Sequence, residues 1–342
     1  MKLNNKLNII VSTIILAIFL YLAFRNVNFD ELAAILKSTN YLPIFIGSFL
    51  GVVLGTVIRV YRWRYLLNPV KPGLPFKSLM SATAIGYMVN NLIPRSGEVV
   101  RPYLLGKNEN ISKAAAFGTI IIERIIDTLT FLFMFVIALI YFKNRISAAI
   151  PDIDTAVIIL AGLVFVLLIW VVFTMFKTEQ SLKIVQFFTK ILPVKYRGKV
   201  DGIFNSLAEG FHILRKPDLL VKIGLYSALL WIVYLISTYI PFYAFDIFTG
   251  SEVISLKEGL WNANLLLVLV NVSMFIPAPA ATGPYHYIVK LTLVSIFAIS
   301  ETKALGYATS THLANFIIYL VMGLYYFAAS HYKISELKEE TI

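Results

Sequence analysis

Apolar residues run along this chain in long blocks rather than in narrow amphipathic stripes. Leu7–Phe24 is eighteen residues without a charge. Comparable blocks lie at Tyr41–Ile58, Ala114–Phe142, Thr155–Phe176, Lys222–Phe245 and Ala304–Ser330. A membrane-crossing helix needs ~20 mostly apolar residues, so each block predicts one span. The first could instead be a cleaved signal peptide, but its apolar run is long and no clear small-x-small cleavage site follows. Two further regions are apolar but interrupted. Leu79–Ile93 ends in Pro94, and Gly259–Ile299 is broken by Pro277, Pro279, Gly283 and Pro284. Each predicts a pair of short or half-length helices around a break. The expected fold is an all-α polytopic membrane protein, a single integral domain over 1–342. It has about six full spans and two broken or re-entrant hairpins, about eight crossings if the hairpins traverse.

Between the fourth and fifth blocks the pattern changes. Ile184, Phe187, Phe188 and Ile191 fall at helical spacing. So do Val200, Ile203, Phe204 and Leu207, continued by Phe211 and Leu214. The loop 177–220 therefore predicts amphipathic helices with basic flanks. They lie either on the inner leaflet, with lysines at anionic headgroups, or against the protein as a cytoplasmic hairpin.

Composition agrees with the pattern. Of 342 residues, 58% are apolar and 14% charged, and mean hydropathy is +0.78. A soluble domain has roughly a quarter of its residues charged. A soluble enzyme, a disordered protein and a nucleic-acid-binding domain are excluded. The chain has no cysteine, which excludes disulfides, thiolate catalysis, zinc–thiolate sites and a lipoprotein anchor.

The net charge of +11 is unevenly placed. Segment 59–78 carries Arg59, Arg62, Arg64, Lys71 and Lys77 with no acid. Segment 177–222 carries nine basic residues against four acids. Loops 25–40, 143–154 and 246–258 are balanced or acidic. Positive charge marks the cytoplasmic side. The protein is thus expected in the cell (inner) membrane, multi-pass, with both termini cytoplasmic.

The two broken regions resemble each other. The first reads Asn91-Leu92-Ile93-Pro94-Arg95-Ser96-Gly97-Glu98, then Ile111-Ser112 and a long helix carrying Glu123, Arg124 and Asp127. The second reads Met274-Phe275-Ile276-Pro277-Ala278-Pro279-Ala280, then Ile299-Ser300 and a long helix carrying His312 and Asn315 at similar depth. By the charge rule the units, about 76–142 and 258–330, enter from opposite sides. That predicts an inverted repeat of discontinuous helices, a frequent transporter plan with its site where the repeats meet.

An ionisable group at bilayer depth costs about 2.5–3.5 kcal/mol on the lenient insertion scale. Glu123, Arg124 and Asp127 share one region of one helix, so they are either an internal salt bridge or a site. Pro94 ends a helix and Gly97 permits a tight turn. Arg95, Arg101 and Arg124 could together hold a phosphate, because guanidinium forks match its oxygens. Glu98, Glu123 and Asp127 would hold those arginines in an empty site, or receive an amine headgroup. In the second break, Gly283 and Pro284 begin a half-helix whose free N–H groups suit an anion. His286 and Lys290 are four apart on it. His286 and His312 are either packing residues or a proton relay. Four histidines without HExxH or a close pair predict no metal site, and no cofactor is expected.

The run Pro94-Arg95-Ser96-Gly97-Glu98-Val99-Val100-Arg101 followed by Glu123-Arg124-x-x-Asp127 resembles the flippase-like membrane family that includes the membrane domain of lysylphosphatidylglycerol synthase. The family's second signature is similar to Pro277-Ala278-Pro279-Ala280-Ala281-Thr282-Gly283-Pro284-Tyr285-His286. Ala280 and Ala281 stand where the family pattern has paired glycines. The soluble aminoacyl-transferase domain is absent, so the chain is not expected to make lysyl-lipid. The resemblance implies movement of a lipid between leaflets.

Three functions follow. One is a non-enzymatic translocator of a phospholipid or polyprenyl-phosphate-type lipid. The second is a membrane enzyme on a lipid phosphate or isoprenoid diphosphate, with Glu123 and Asp127 holding Mg²⁺. The third is a scaffold or accessory subunit. Expected partners are anionic phospholipids or lipid phosphates, a second copy of the chain or a partner synthase, and no nucleic acid.

Overall fold

The computed structural model describes residues 2–144, 153–177, 217–247 and 256–330, with a few positions between 180 and 187. Every regular element among them is helical. The expected amphipathic helices of the 177–220 loop lie almost wholly outside the described residues.

Helix α1 (Lys2–Phe24) turns into α2 (Phe29–Ser38) through a bend of 85°. Asn26 sits at the corner with φ 64°. The side chain of Asn28 then caps α2 by accepting from the backbone N–H groups of Asp30 and Glu31. The expected outer loop at 25–40 is therefore largely a helix. Its Leu32 and Leu36 pack with Ala23, Val27 and Leu305, an apolar face too short to register as a span.

Helix α3 (Tyr41–Phe49) passes through a π-helical turn, Leu50–Leu54, into α4 (Gly55–Leu67). The run is continuous over 27 residues, nine beyond the block that ended at Ile58. Arg59 and Arg62 did not stop the helix, because both are buried within the bundle.

The first hairpin is α5 (Phe76–Leu92) and α6 (Gly97–Glu109). Ile93 is extended (φ −126°, ψ 112°), as the residue before a proline prefers. A long helix follows, α7 (Lys113–Tyr141), capped by the Ser112 hydroxyl, which accepts from the Ala115 N–H. Next come α8 (Ile153–Phe176) and α9 (Pro217–Tyr239), the latter running into a 3₁₀ stretch, Ile240–Phe245. The second broken region is α10 (Leu256–Ser273), a 3₁₀ turn at Pro279–Ala281, and α11 (Pro284–Ser295). The last helix, α12 (Glu301–Ala329), is capped by the Ser300 hydroxyl accepting from the Lys303 N–H.

Three helical runs are long and apolar enough to cross a membrane: Tyr41–Leu67, Asp218–Phe245 and Glu301–Ala329. A fourth is added if the bent α1–α2 pair counts as one span. This is fewer than the six full spans expected, among the described residues. At ~1.5 Å per residue, α6 with 13 residues and α11 with 12 cannot cross a ~30 Å core alone.

One core forms where α4, α5, α6 and α7 meet, around Trp63, Leu79, Ile85 and Leu104. A second forms where the 3₁₀ stretch, α10, α11 and α12 meet, around Phe242, Leu266, Val289 and Tyr307. Helix α5 packs against both α6 and α12, and α7 packs against both α6 and α10. The outer surface is apolar. Leu313, Ile317, Val321 and Leu324 form an exposed stripe along α12, and Ile158, Leu163, Phe165 and Val166 are exposed on α8. Faces of this kind belong in lipid rather than water.

Candidate functional site

The site is assembled by helix periodicity. On α7, Glu123 and Asp127 are four residues apart and share a face. On α4, Arg59 and Arg62 are three apart and do the same. The two faces meet. Arg59 Nη1 donates to Glu123 Oε1 at 2.8 Å and to Asp127 Oδ2 at 2.6 Å. Arg62 Nη2 donates to Asp127 Oδ1 at 2.6 Å. From α6, Arg101 donates to both oxygens of Glu123, at 3.1 and 3.3 Å. Arg124 reaches Glu123 at 2.8 Å and Asp127 at 3.2 Å. From α9, Tyr234 and Ser227 accept from Arg59 and Arg62 at 3.0 and 3.1 Å.

Burial grades across this network. The side chains of Arg62 and Glu123 are fully buried, and those of Arg101 and Arg59 nearly so. Arg124 is 41% exposed, and beyond it Glu98, 3.9 Å away, is 48% exposed. The network thus has a closed interior and one open edge. Four guanidiniums against Glu123 and Asp127 leave two positive charges, and Glu98 at the rim reduces this to one. The Nε atoms of Arg62, Arg101 and Arg124 are buried without a hydrogen-bond partner. Both carboxylates have all their oxygens engaged by arginines, so Glu123 and Asp127 do not present the free pair that a Mg²⁺–diphosphate enzyme would need.

Aromatic packing fixes Arg101. Its guanidinium lies 4.4 Å from the centre of the Trp63 ring and 5.6 Å from that of Tyr87. The Trp63 indole N–H in turn donates to Thr119 Oγ1 at 2.9 Å. Gly97 has a role different from the turn expected of it. The left-handed residue in the break is Arg95 (φ 65°), whereas a Cβ on Gly97 would collide with the carbonyl oxygen of Gly86. Gly97 is the contact at which α6 touches α5 backbone to backbone.

Arg95 does not join Arg101 and Arg124 in a three-arginine cradle. It is exposed, and its Nη2 donates to the Phe275 carbonyl at 3.3 Å. It therefore ties the first break to the second. Phe275 also packs on Phe131, with ring centres 6.3 Å apart, and Phe131 is one helical turn from Asp127.

The second break holds the histidines. The rings of His286 and His312 are 4.8 Å apart. His286 Nδ1 accepts from the Gly283 N–H at 3.4 Å, and His312 Nε2 donates to the Ala280 carbonyl at 3.0 Å. Asn315 lies one turn along α12 from His312, half-buried. Between Pro277 and Gly283 the backbone is contorted. Ala280 and Ala281 both have left-handed φ (48° and 53°), and Gly283 has φ 90°. The N-terminus of α11 is not open to an anion. Gly283 is buried, and a Cβ there would meet the Leu16 carbonyl oxygen of α1 at 2.9 Å. Lys290 is likewise committed. Its ammonium donates to the Ala23 and Arg25 carbonyls at 3.0 and 3.1 Å and pairs with Glu301 at 2.6 Å. It ties the end of α1 to the start of α12.

Arg59 and Arg62 are the residues that sequence reasoning assigned to membrane topology and not to the site. The available signal was their i, i+3 spacing directly after an apolar block, with Trp63 adjacent.

The comparisons agree with this architecture. The family model for the lysylphosphatidylglycerol synthase TM region matches residues 9–323. The UPF0104 membrane protein MJ1595 of Methanocaldococcus jannaschii is 29% identical over 143 residues, 40% of this chain and 42% of that one. A UPF0104 membrane protein of Methanothermobacter thermautotrophicus is 27% identical over 223 residues, 59% of this chain and 63% of that one. The UPF0104 membrane protein PH1989 of Pyrococcus horikoshii is 26% identical over 207 residues, covering 55% of this chain and 60% of the relative. The matches thus span between about two-fifths and three-fifths of the length of these relatives. No solved structure matches. The family match over most of the chain, together with helices fit to span a bilayer and an apolar exterior, makes this an integral membrane protein that belongs to the lysylphosphatidylglycerol synthase transmembrane-region family.

Proposed function

We propose that the protein is a non-enzymatic lipid translocator that moves a phospholipid or polyprenyl-phosphate-type lipid between leaflets of the cell membrane. One observation carries this reading: a buried arginine–carboxylate network with excess positive charge and an open edge at Arg124, beside the broken hairpin. Its depth fits. Glu123 is ten residues into α7 (123 − 113), about 15 Å along a helix axis and half of a ~30 Å hydrocarbon core. A net positive charge of two over Glu123 and Asp127, and of one with Glu98 counted, suits a lipid phosphate, and guanidinium forks would hold it.

The proposal includes an inverted repeat. Three features support it. The third helices, α7 and α12, are both 29 residues long and both start at a serine cap. The packing is reciprocal, with α5 on α12 and α7 on α10. The polar residues sit at matching depths, Glu123 ten residues and His312 eleven residues into their helices. Eight crossings with both termini cytoplasmic belong to the same proposal.

A second reading is favoured by one observation. Every carboxylate oxygen of Glu123 and Asp127 is already bonded, as a purely structural salt-bridge cluster in a scaffold protein would be. The test is reconstitution into liposomes with headgroup-labelled phosphatidylglycerol, phosphatidylethanolamine and a polyprenyl phosphate. Movement of any of these, lost in Arg124→Ala while the variant stays monodisperse in detergent, is the expected result. No movement across the panel by the wild-type protein overturns the translocator.

A further inference from the structure

Two imidazoles bond to the strained backbone of the second break, beside its own turn bonds from Ala281 to Ala278 and from Thr282 to Pro279, and the two imidazole bonds are not equivalent. In the neutral pair, His286 accepts the Gly283 N–H at Nδ1, so its own proton is on Nε2. His312 donates from Nε2 to the Ala280 carbonyl, so its Nδ1 is bare. A proton added to His312 Nδ1 leaves the Ala280 bond intact. A proton added to His286 Nδ1 sets one N–H against another and abolishes the Gly283 bond. Rings 4.8 Å apart do not readily both carry charge, so His312 competes with His286 for a single proton, and the break stays latched while His312 holds it.

We propose that His286 is a proton-operated latch: a proton on its Nδ1 releases Gly283 and frees the second break to move. The backbone so released is the strained one, with Ala280, Ala281 and Gly283 all at positive φ. Its motion has a route to the ion network. The same break presents the Phe275 carbonyl to Arg95 and the Phe275 ring to Phe131 on α7. Transport driven or gated by protons is the functional consequence, and that consequence rests on the translocator reading.

The surroundings let a single proton matter. Helix α1 packs on His286 through Phe24 and has no charged residue from Leu7 to Phe24. From α12, His312 and Thr311 lie at the pair, the latter bonded to the Tyr285 hydroxyl at 3.0 Å. Thr282 Oγ1 is 3.5 Å from His312. Lys290, one turn along α11, is neutralised by Glu301. The remaining charged residues on the elements packed here are Lys2 and Lys6 at the start of α1, Lys303 in the first turn of α12, Lys77 at the start of α5, and Lys257 and Glu258 at the start of α10.

The test needs no transport substrate, so it can fail while the translocator stands, and the reverse. Hydrogen–deuterium exchange is measured over residues 278–288 in phosphatidylglycerol nanodiscs at pH 7.5 and pH 3.5, corrected for the intrinsic effect of pH on exchange. We expect exchange to rise about fivefold at the lower pH, the order set by one lost backbone hydrogen bond. His312→Gln should retain the rise and His286→Gln should abolish it. No rise in the wild-type protein, or an undiminished rise in His286→Gln, overturns the latch. If His286→Gln instead exchanges fast along all of α11 at both pH values, His312→Gln decides: a retained rise supports the latch and a flat response overturns it.

Discussion

Arg59 and Glu123 stand 64 residues apart in the chain and 2.8 Å apart in the fold. On its own helix Glu123 also meets Arg124, at 2.8 Å, and Arg59 reaches one turn further along α7 to Asp127. The bond fixes the turn of α4 against the turn of α7 and makes the network a property of tertiary structure. Its members should therefore differ in cost according to burial.

Arg62 and Arg124 provide the contrast. Arg62 is fully buried and Arg124 is 41% exposed. Removing one partner of a buried ion pair costs about 3–5 kcal/mol, whereas exposed pairs are worth about 0–1 kcal/mol. Arg62→Met should lower the unfolding temperature in detergent sharply, and Arg124→Met should leave it nearly unchanged. Equal losses would mean that the open edge at Arg124 is closed in the membrane.

Gly97→Ala tests the backbone contact between α5 and α6. The new methyl group meets the Gly86 carbonyl oxygen, so the hairpin must open, at about 1–3 kcal/mol. Gly118, on α7, has no neighbour within 4 Å of the same position. Gly118→Ala should be neutral, or stabilising by about 0.5–1 kcal/mol through helix propensity. Thermal unfolding of the two variants side by side checks both signs.

Ala280 and Ala281 carry alanine in a backbone region that disfavours any Cβ, by roughly 1–2 kcal/mol per residue. Ala280→Gly should raise stability by up to about 1 kcal/mol, part of the gain being offset by the greater freedom of glycine in the unfolded chain. Ala280→Val should lower it. A thermal shift series over Gly, Ala and Val reads the order directly, and a Val variant as stable as Gly would contradict the left-handed conformation.

Lys290 is expected to act as a tether. Lys290→Met leaves the Ala23 and Arg25 carbonyls without their cation and Glu301 without its partner. Exchange of amides in 22–28 should increase, while lipid movement per folded molecule should persist. Loss of lipid movement with unchanged exchange would return Lys290 to the translocation path.

The sequence made the broken hairpins legible because Pro94, Pro277 and Pro279 interrupt otherwise apolar runs. Glu123, Arg124 and Asp127 were legible because charge inside an apolar block is conspicuous. Arg59 and Arg62 were not, since they follow Ile58 at the end of a block, where a basic residue equally well marks a cytoplasmic loop. Their partners lie 64 and 65 positions away, and no local pattern encodes that distance. The bend at Asn26 was missed for a related reason: α2 has only ten residues, and its apolar face needs Leu305 to show itself. Arg95 looked like a site residue by proximity in sequence to Arg101, but a left-handed φ turns it toward the other break.

The Gly86–Gly97 contact has a mechanical consequence. With two main chains touching and the Arg101 stem laid across Gly86, α5 and α6 cannot slide past each other by even one residue. The hairpin is a rigid plate, and Arg101 is a fixed tooth on it. A stroke that moves Arg101 relative to Glu123 has to carry the whole plate, with bending left to the linkers at 68–75 and 110–112.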